Sequence, residues 1–552
     1  MLKIKWYNKW RVKVLAVLIV LLASLTIYFV IVARLDPPVI FDTSSLRLER
    51  TEIYPGEYVI KNSWFRKSKS GLYELYVEGD PFELGVTIGK LTKELVVRQE
   101  DHFNDQITRL IPSRTYQHFL KYVIGWFNRD LDKNISTEYK EEIYGISLSA
   151  SDKYQYIGSN YQRLLNYHAA HDIGHALQSI ALVGCTSFGT WGKHSKDSTM
   201  IVGRNFDFYV GDEFAEDKII AFIHPTHGYN FMTVTWGGFI GAVSGMNEQG
   251  LAVTINAAKS GIPSGSATPV SLVAREILQY AKNINEAYQI ARKRKMFVSE
   301  SFLISSAKDH KAVLIEKTPT DLAMFDPGQD YIVCTNHFQS EEFSNQKENL
   351  DQIHNSASSY RYKRVLELLN NSKENTIENT IAILRDQKGL DNKDIGMGNE
   401  KAINQLIAHH SIVFEPEKLR VWISTAPWQL GKFLSYDLHK IFSMNGIKKN
   451  EEIIDDSLTI QADPFLLTND FKNFIKFHSY KLDIARGKYV EPDSIIASNP
   501  NLYQAYVLAG NELIKEKKND LGINYLKQSL TKEVATKNEE NEIQSIIKKY
   551  SR

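Results

Sequence analysis

Apolar residues recur along this chain in three rhythms, and each predicts a different kind of element. From Val14 to Ala33 they run without a charge, closed by Arg34 and preceded by Lys3, Lys5, Lys9, Arg11 and Lys13. Such a run is about long enough to cross a hydrocarbon core of ~30 Å, and a basic flank stays on the cytoplasmic side. The run continues past Ala23-Ser24, a small-residue pair of the kind cut in signal peptides, through Ile27, Phe29, Val30 and Ile31. It therefore reads as an uncleaved signal anchor rather than a removed signal. The expectation is a single-pass membrane protein with everything beyond Pro38 on the extracytoplasmic side, periplasmic or extracellular.

The second rhythm is short apolar runs bounded by glycine turns. Strands are predicted at Leu72–Glu78, Met200–Val202, Ile219–Ile223, Met232–Trp236 and Leu251–Ile255. Further strands fit Ser301–Ile304, Ala312–Glu316, Tyr331–Thr335 and Leu419–Ser424. The third rhythm is helical: Pro81 opens a helix to Val97 with Leu84, Ile88 and Leu91 on one face, and helices fit 105–182, 271–294, 358–370 and 376–386. Strands, helices and strands again predict an α+β fold of sheets covered by helices. The tail is polar and helical. Within it Asn499-Pro500 to Gly510 and Gly522 to Leu530 are similar to one tetratricopeptide hairpin, read as a packing element because a lone repeat has no neighbours to bury its faces. Four segments result: 1–38, the basic flank and anchor; 39–184, mixed α/β; 185–450, the strand-rich core; and 451–552, a helical extension.

Charge narrows the partners. Lys+Arg is 66 and Asp+Glu is 65, a balance that predicts no nucleic-acid surface and no polyanionic substrate. The two cysteines, Cys185 and Cys334, are too few for a disulfide framework or a structural zinc site. No metal and no cofactor are expected. His168, His171 and His175 lack a His-Glu-x-x-His pattern and read as a polar helix face, and Gly238-x-x-Gly241 opens no strand–turn–helix unit.

The chemistry centres on Cys185. It follows Gly184, and eighteen residues later comes Gly203-Arg204-Asn205-Phe206-Asp207. Thiolate attack on the Gly184 carbonyl would form a thioester and free the Cys185 amine. That amine has an ordinary pKa of ~7.7–8.0, against ~8.5 for a thiol, so it can take the thiol proton near neutrality. Arg204 can favour the thiolate, and Asp207 can orient the new ammonium group. A lone cysteine is ordinarily structural, and an Arg/Asp turn is ordinarily a surface salt bridge; the ordering of further motifs decides between these readings.

Those motifs resemble the N-terminal-nucleophile hydrolases of the isopenicillin N acyltransferase type, relatives of choloylglycine hydrolases and acid ceramidase. Gly184-Cys185-Thr186-Ser187 with Arg204 and Asp207 resembles the nucleophile strand and its partner turn. Gly245-Met246-Asn247-Glu248-x-Gly250-Leu251, followed by Ile255-Asn256, resembles the hairpin whose last Asn is an oxyanion donor. Thr335-Asn336-His337 resembles a strand end with a second active-site Asn, and Arg361-Tyr362-x-Arg364-Val365 a helix bearing a further Arg, with Arg364 an alternative match to Arg361. Gly79-Asp80-Pro81-Phe82-x-x-Gly85-x-x-x-Gly89 is similar to the propeptide motif of the acyltransferase branch.

The resemblance implies a four-layer αββα sandwich between the transmembrane helix and the tetratricopeptide-like tail. It implies self-cleavage at Gly184–Cys185, with 39–184 as a propeptide that stays associated. It also implies catalysis by Cys185, Arg204, Asp207, Asn256, Asn336 and Arg361. The expected activity is cleavage or transfer of an acyl group at a non-peptide amide bond of a small N-acyl or lipid-like molecule. An acyl-ester or lipid-amide hydrolase on the same fold, or a non-catalytic anchored interaction module, are the other readings.

Overall fold

The computed structural model describes residues 6–176, 184–208, 211–259 and 265–551. It is an α+β fold built on two large sheets. The first has eleven strands in the order Thr51–Tyr54, Glu57–Ile60, Ser63–Lys67, Tyr73–Gly79, Ile219–Pro225, Phe231–Thr235, Ser244–Asn247, Leu251–Ala257, Glu300–Ser306, Lys311–Lys317 and Leu322–Phe325. The second has six: Tyr331–Cys334, Thr186–Thr190, Ile201–Phe206, His410–Glu415, Arg420–Ser424 and Phe433–Asp437.

The strands are apolar on both faces, which is why they read as short continuous runs rather than as clean alternation. Ile220 and Phe222 of the large sheet meet Val202, Ile412, Phe414, Val421 and Ile423 of the small one in a shared core. Their neighbours Ile219, Ala221 and Ile223 point the other way, into a core with Leu84, Ile88, Ile143 and Leu165 from helices. On the small sheet Ile201, Val413 and Trp422 turn outward against Val365, Ile381 and Leu384. The sheets thus pack face to face, and helices cover their outer faces.

The segment ahead of Cys185 is woven into the large sheet. Its Tyr73–Gly79 strand runs parallel to Ile219–Pro225 in unbroken register, and three further strands extend the edge. The Gly-Asp-Pro-Phe motif that follows is a helix start and a helix crossing. Pro81 takes the first turn of the Pro81–Leu91 helix. A Cβ on Gly85 would sit 2.0 Å from the Glu142 carbonyl oxygen, and one on Gly145 2.5 Å from the Val86 nitrogen. The two glycines let the Pro81–Leu91 and Thr137–Ser147 helices touch backbone to backbone. The expected helix 81–97 breaks at Thr92, which ends one helix and begins Lys93–Leu110. Likewise 271–294 is two helices, Val270–Tyr280 and Ile284–Lys293, because Asn283 caps the second.

At the N-terminus a helix spans Trp6–Val32, of which Trp10–Val32 is long and apolar enough to cross a membrane. The tail forms helices from Asn469–Ala485 to Lys537–Tyr550 around its own apolar cluster. Tyr503–Lys515 and Asn519–Ser529 form the expected hairpin, with Gly510 and Gly522 at their crossing. The tail braces the segment 393–406. Glu533 pairs with Lys393 and Lys401, and Phe474 packs with Leu406 and Leu430.

Candidate active site

Antiparallel pairing of Thr186–Thr190 with Ile201–Phe206 sets Ser187 opposite Arg204 and Thr186 opposite Asn205. Continued by one more bond, from the Gly184 N–H to the Asp207 carbonyl at 3.0 Å, this register explains the interval read in the sequence. It places Cys185, Arg204 and Asp207 together at one end of the small sheet. Cys185 is buried. Arg204 donates to its Sγ at 3.5 Å and to the carbonyls of Val243 and Ile255 at 2.5 and 2.6 Å, as well as to the Ser244 hydroxyl. Burial pushes the Cys185 thiol up, and the Arg204 guanidinium opposes this. Asp207 is also buried. Desolvation lifts its carboxyl to about 7 against the pull of Arg361 and Arg204, and its Oδ1 accepts no hydrogen bond from the described residues.

Arg361, on the Ser358–Asn370 helix, crosses to the same point. It donates to the Cys185 carbonyl at 2.6 Å, the Thr186 hydroxyl at 2.8 Å and Asn336 Oδ1 at 2.7 Å. Asn336 in turn donates to the Ala257 carbonyl at 2.9 Å. Arg364, the alternative match, faces away and binds Asp386, Glu367 and Asn392. Asn256, from the Leu251–Ala257 strand, accepts from the Ser187 hydroxyl at 2.8 Å and donates to the Cys334 carbonyl at 3.2 Å. All six residues singled out in the sequence thus lie in one buried network between the sheets. Ser187 is a member of it as a donor to Asn256.

Other sequence signals resolve differently. Cys334 and Cys185 are both free thiols. His337 bonds to Ser358 and Thr335 behind Asn336, and burial drops it to about 4, so it is neutral. His168 is buried, receives the Ile240 N–H at 3.0 Å and stacks on Phe239; the side chains of His171 and His175 lie outside the described residues. Among the described residues no group of three or more His, Cys, Asp or Glu is placed to hold a metal.

Gln405 escaped the sequence reading. Its Nε2 donates to the Gly184 carbonyl oxygen at 2.7 Å and to Asp207 Oδ2 at 3.5 Å. A Cβ on Gly184 would lie 2.5 Å from that nitrogen, so the glycine ahead of the cysteine is what admits Gln405. No local signal marks a glutamine 221 residues away in the chain. Glu300 was also missed. It pairs with Ala257 in the sheet, is buried with neither oxygen hydrogen-bonded among the described residues, and desolvation holds it well above the carboxylate range.

Beside the polar network lies a small apolar groove with a cavity volume of about 70 Å³. Phe208, the residue after Asp207, forms part of it with Phe103, Leu164, Tyr167, Trp236 and Phe239.

Residues 194–427 match the family described as acyl-coenzyme A:6-aminopenicillanic acid acyl-transferase. A protein of Archaeoglobus fulgidus known only as an uncharacterized protein is 26% identical over 254 residues, 43% of this chain and 42% of its own length. The chain therefore spans less than half of that relative. Two solved structures are similar at low overlap. A Caenorhabditis elegans N-acylethanolamine-hydrolyzing acid amidase ortholog is 16% identical, with TM-score 0.31 over 42% of this chain and 93% of that one. The conjugated bile acid hydrolase of Clostridium perfringens is 14% identical, with TM-score 0.33 over 50% and 97%. The similarity of this chain to the acyl-coenzyme A:6-aminopenicillanic acid acyl-transferase family is thus carried by residues 194–427.

Proposed function

We propose that this protein is a membrane-anchored, self-processing cysteine amidohydrolase or acyltransferase that opens a non-peptide amide bond through Cys185. The observation that carries the reading is the grip on the Gly184–Cys185 junction. Gln405 donates to the carbonyl that would be attacked, Arg204 faces the attacking sulfur, and Arg361 fixes the carbonyl on the other side of the nucleophile.

The first step has no free amine to serve as base, because the Cys185 nitrogen is still an amide. Asp207, titrating near 7 within the field of the thiol, supplies one. It takes the thiol proton as Sγ bonds to the Gly184 carbonyl carbon. The oxyanion forms against Gln405. The Gly184–Cys185 C–N bond then breaks, and the proton passes to the departing nitrogen. Water hydrolyses the thioester, leaving a Gly184 carboxylate and a Cys185 with both thiol and α-amine.

In the second reaction the α-amine replaces Asp207 as base, and Asp207 as carboxylate orients the ammonium group. Sγ attacks the substrate's acyl carbon, Asn256 stabilises the oxyanion, and the amine leaves with the proton. Water or a second amine then accepts the acyl group. The groove beside Asp207 takes an apolar acyl chain or aromatic acyl group, its wall built in part by Phe103, Leu164 and Tyr167 from ahead of the cut.

The test is N-terminal sequencing and mass analysis of the purified protein. A fragment beginning at Cys185 is expected, with a single intact chain and no amide turnover for Cys185→Ala. An intact wild-type chain that turns over N-acyl substrates would overturn self-processing, and turnover by Cys185→Ala would overturn the nucleophile.

A further inference from the structure

The Arg114–Phe127 helix exposes most of its apolar side chains, although Phe127 packs on the core. Its fully buried positions are a glutamine and a glycine: Gln117 donates to the Ile111 carbonyl at 2.8 Å, and Gly125 lies against Ala33. Its outward stripe is Tyr116, Phe119 and Val123, spaced i, i+3, i+7, with Tyr122 and Ile124 alongside and the half-buried Trp126 at i+10. Phe119 is 60% exposed and Tyr116 51%. An amphipathic helix normally buries this face, and large contiguous apolar patches on a soluble surface mark an interaction site.

The position of the stripe identifies its partner. Trp126 meets Phe29 of the N-terminal apolar helix with ring centroids 6.1 Å apart. Phe29 lies three residues before that helix ends at Val32, roughly 4.5 Å inside the end of the span. There is no slack between span and body. Ala33 and Leu35 are buried, and Gln162 donates to the Ala33 carbonyl at 2.5 Å. A bilayer crossed by Trp10–Val32 therefore ends at the level of Trp126. Aromatic residues favour that level, and basic ones beside it face phosphate headgroups. Arg129 stacks its guanidinium 4.6 Å from the Trp126 ring, and Arg114 and Lys121 lie on the same helix.

We propose that Arg114–Phe127 is an interfacial helix that lies in the headgroup layer of the leaflet where the anchor emerges, with Tyr116, Phe119 and Val123 among the acyl chains. It would hold the catalytic body at a fixed attitude to the membrane, which a single spanning helix does not do.

Depth-dependent quenching on the full-length chain tests this, in vesicles of phosphatidylethanolamine and phosphatidylglycerol. An environment-sensitive fluorophore is placed at Phe119→Cys or, as a second site, Val123→Cys, in a Cys185→Ala/Cys334→Ala background. Leu18→Cys reports on the span, and Lys373→Cys is the aqueous control. The expected result is a blue-shifted label at either helix site, quenched several-fold more by shallow lipid-borne nitroxides than by aqueous iodide. Iodide-quenched labels at both helix sites, with Leu18→Cys protected, overturn the interfacial helix and leave the anchor standing. Iodide access at Leu18→Cys as well overturns the anchor itself. Protection that lipid nitroxides do not reach, and that vanishes on dilution, assigns the face to a second copy of the chain and overturns the proposal.

Discussion

Buried arginines occur in this protein in two settings, and the contrast separates what holds the fold from what the site is for. At the seams each is answered by a carboxylate. Arg66 meets Glu74 at 2.8 Å, with Tyr436 on the other oxygen; Arg163 meets Glu100 at 3.0 Å; and Arg275 meets Glu142 at 3.2 Å. Arg204 and Arg361 are as deeply buried, yet among the described residues neither has a carboxylate within ion-pair distance. They hold carbonyls, an amide oxygen and a thiol. A buried cation without its counter-ion is costly, and burial lowers the pKa of both guanidiniums. Such groups suit a site where negative charge appears only during reaction, on sulfur and on an oxyanion.

The largest expected effect breaks the seam side of this contrast. Arg275→Met in the uncleaved Cys185→Ala chain strands Glu142 and should cost ~3–5 kcal/mol in chemical denaturation. Arg204→Lys should do the reverse, with a smaller stability loss but self-cleavage slowed about 10²–10³-fold in a time course on gels. Gln405→Ala removes one donor to the attacked carbonyl and should slow cleavage about 10²-fold with an unchanged melting temperature. Gly184→Ala should act the same way by displacing Gln405. Equal cleavage in Gln405→Ala and wild type would remove the glutamine from the mechanism.

The smallest effect is a pH dependence. Burial raises Asp207 from 3.8 to about 7, so the native chain retains a proton that the unfolded chain releases between those values. Stability therefore falls as pH rises from about 4 to 7, and the penalty is complete above about 7. Asp207→Asn in the Cys185→Ala chain should raise the melting temperature most at about pH 8, less at about pH 5, and not at all near pH 3. A gain that does not vary with pH would mean that the carboxyl does not titrate in this window.

Much of this was legible in the sequence because the site is built from short motifs. Cys185, Arg204, Asp207, Asn256, Asn336 and Arg361 each sit in a run whose spacing is set by a strand pair or a helix turn. The longer apolar strands were legible for the same local reason. Thr186–Thr190 was legible only through the family resemblance and not from its pattern, since its residues are Thr, Ser, Phe, Gly and Thr, polar because one face lines the site. His410–Glu415 and Phe433–Asp437 also carry polar residues that the fold buries. Gln405 could not be read at all, because its contacts arise where a segment braced by the tail meets the start of the Cys185 strand.

The parallel pairing of Tyr73–Gly79 with Ile219–Pro225 has a consequence for the life of the molecule. If the proposed cut at Gly184–Cys185 takes place, the chain becomes two polypeptides that share one sheet, folded while they were still one. Once melted, they must find each other in a concentration-dependent collision, with the barrier to unfolding now guarding the working enzyme. Such a protein is assembled once, and its lifetime is set by how slowly that seam opens.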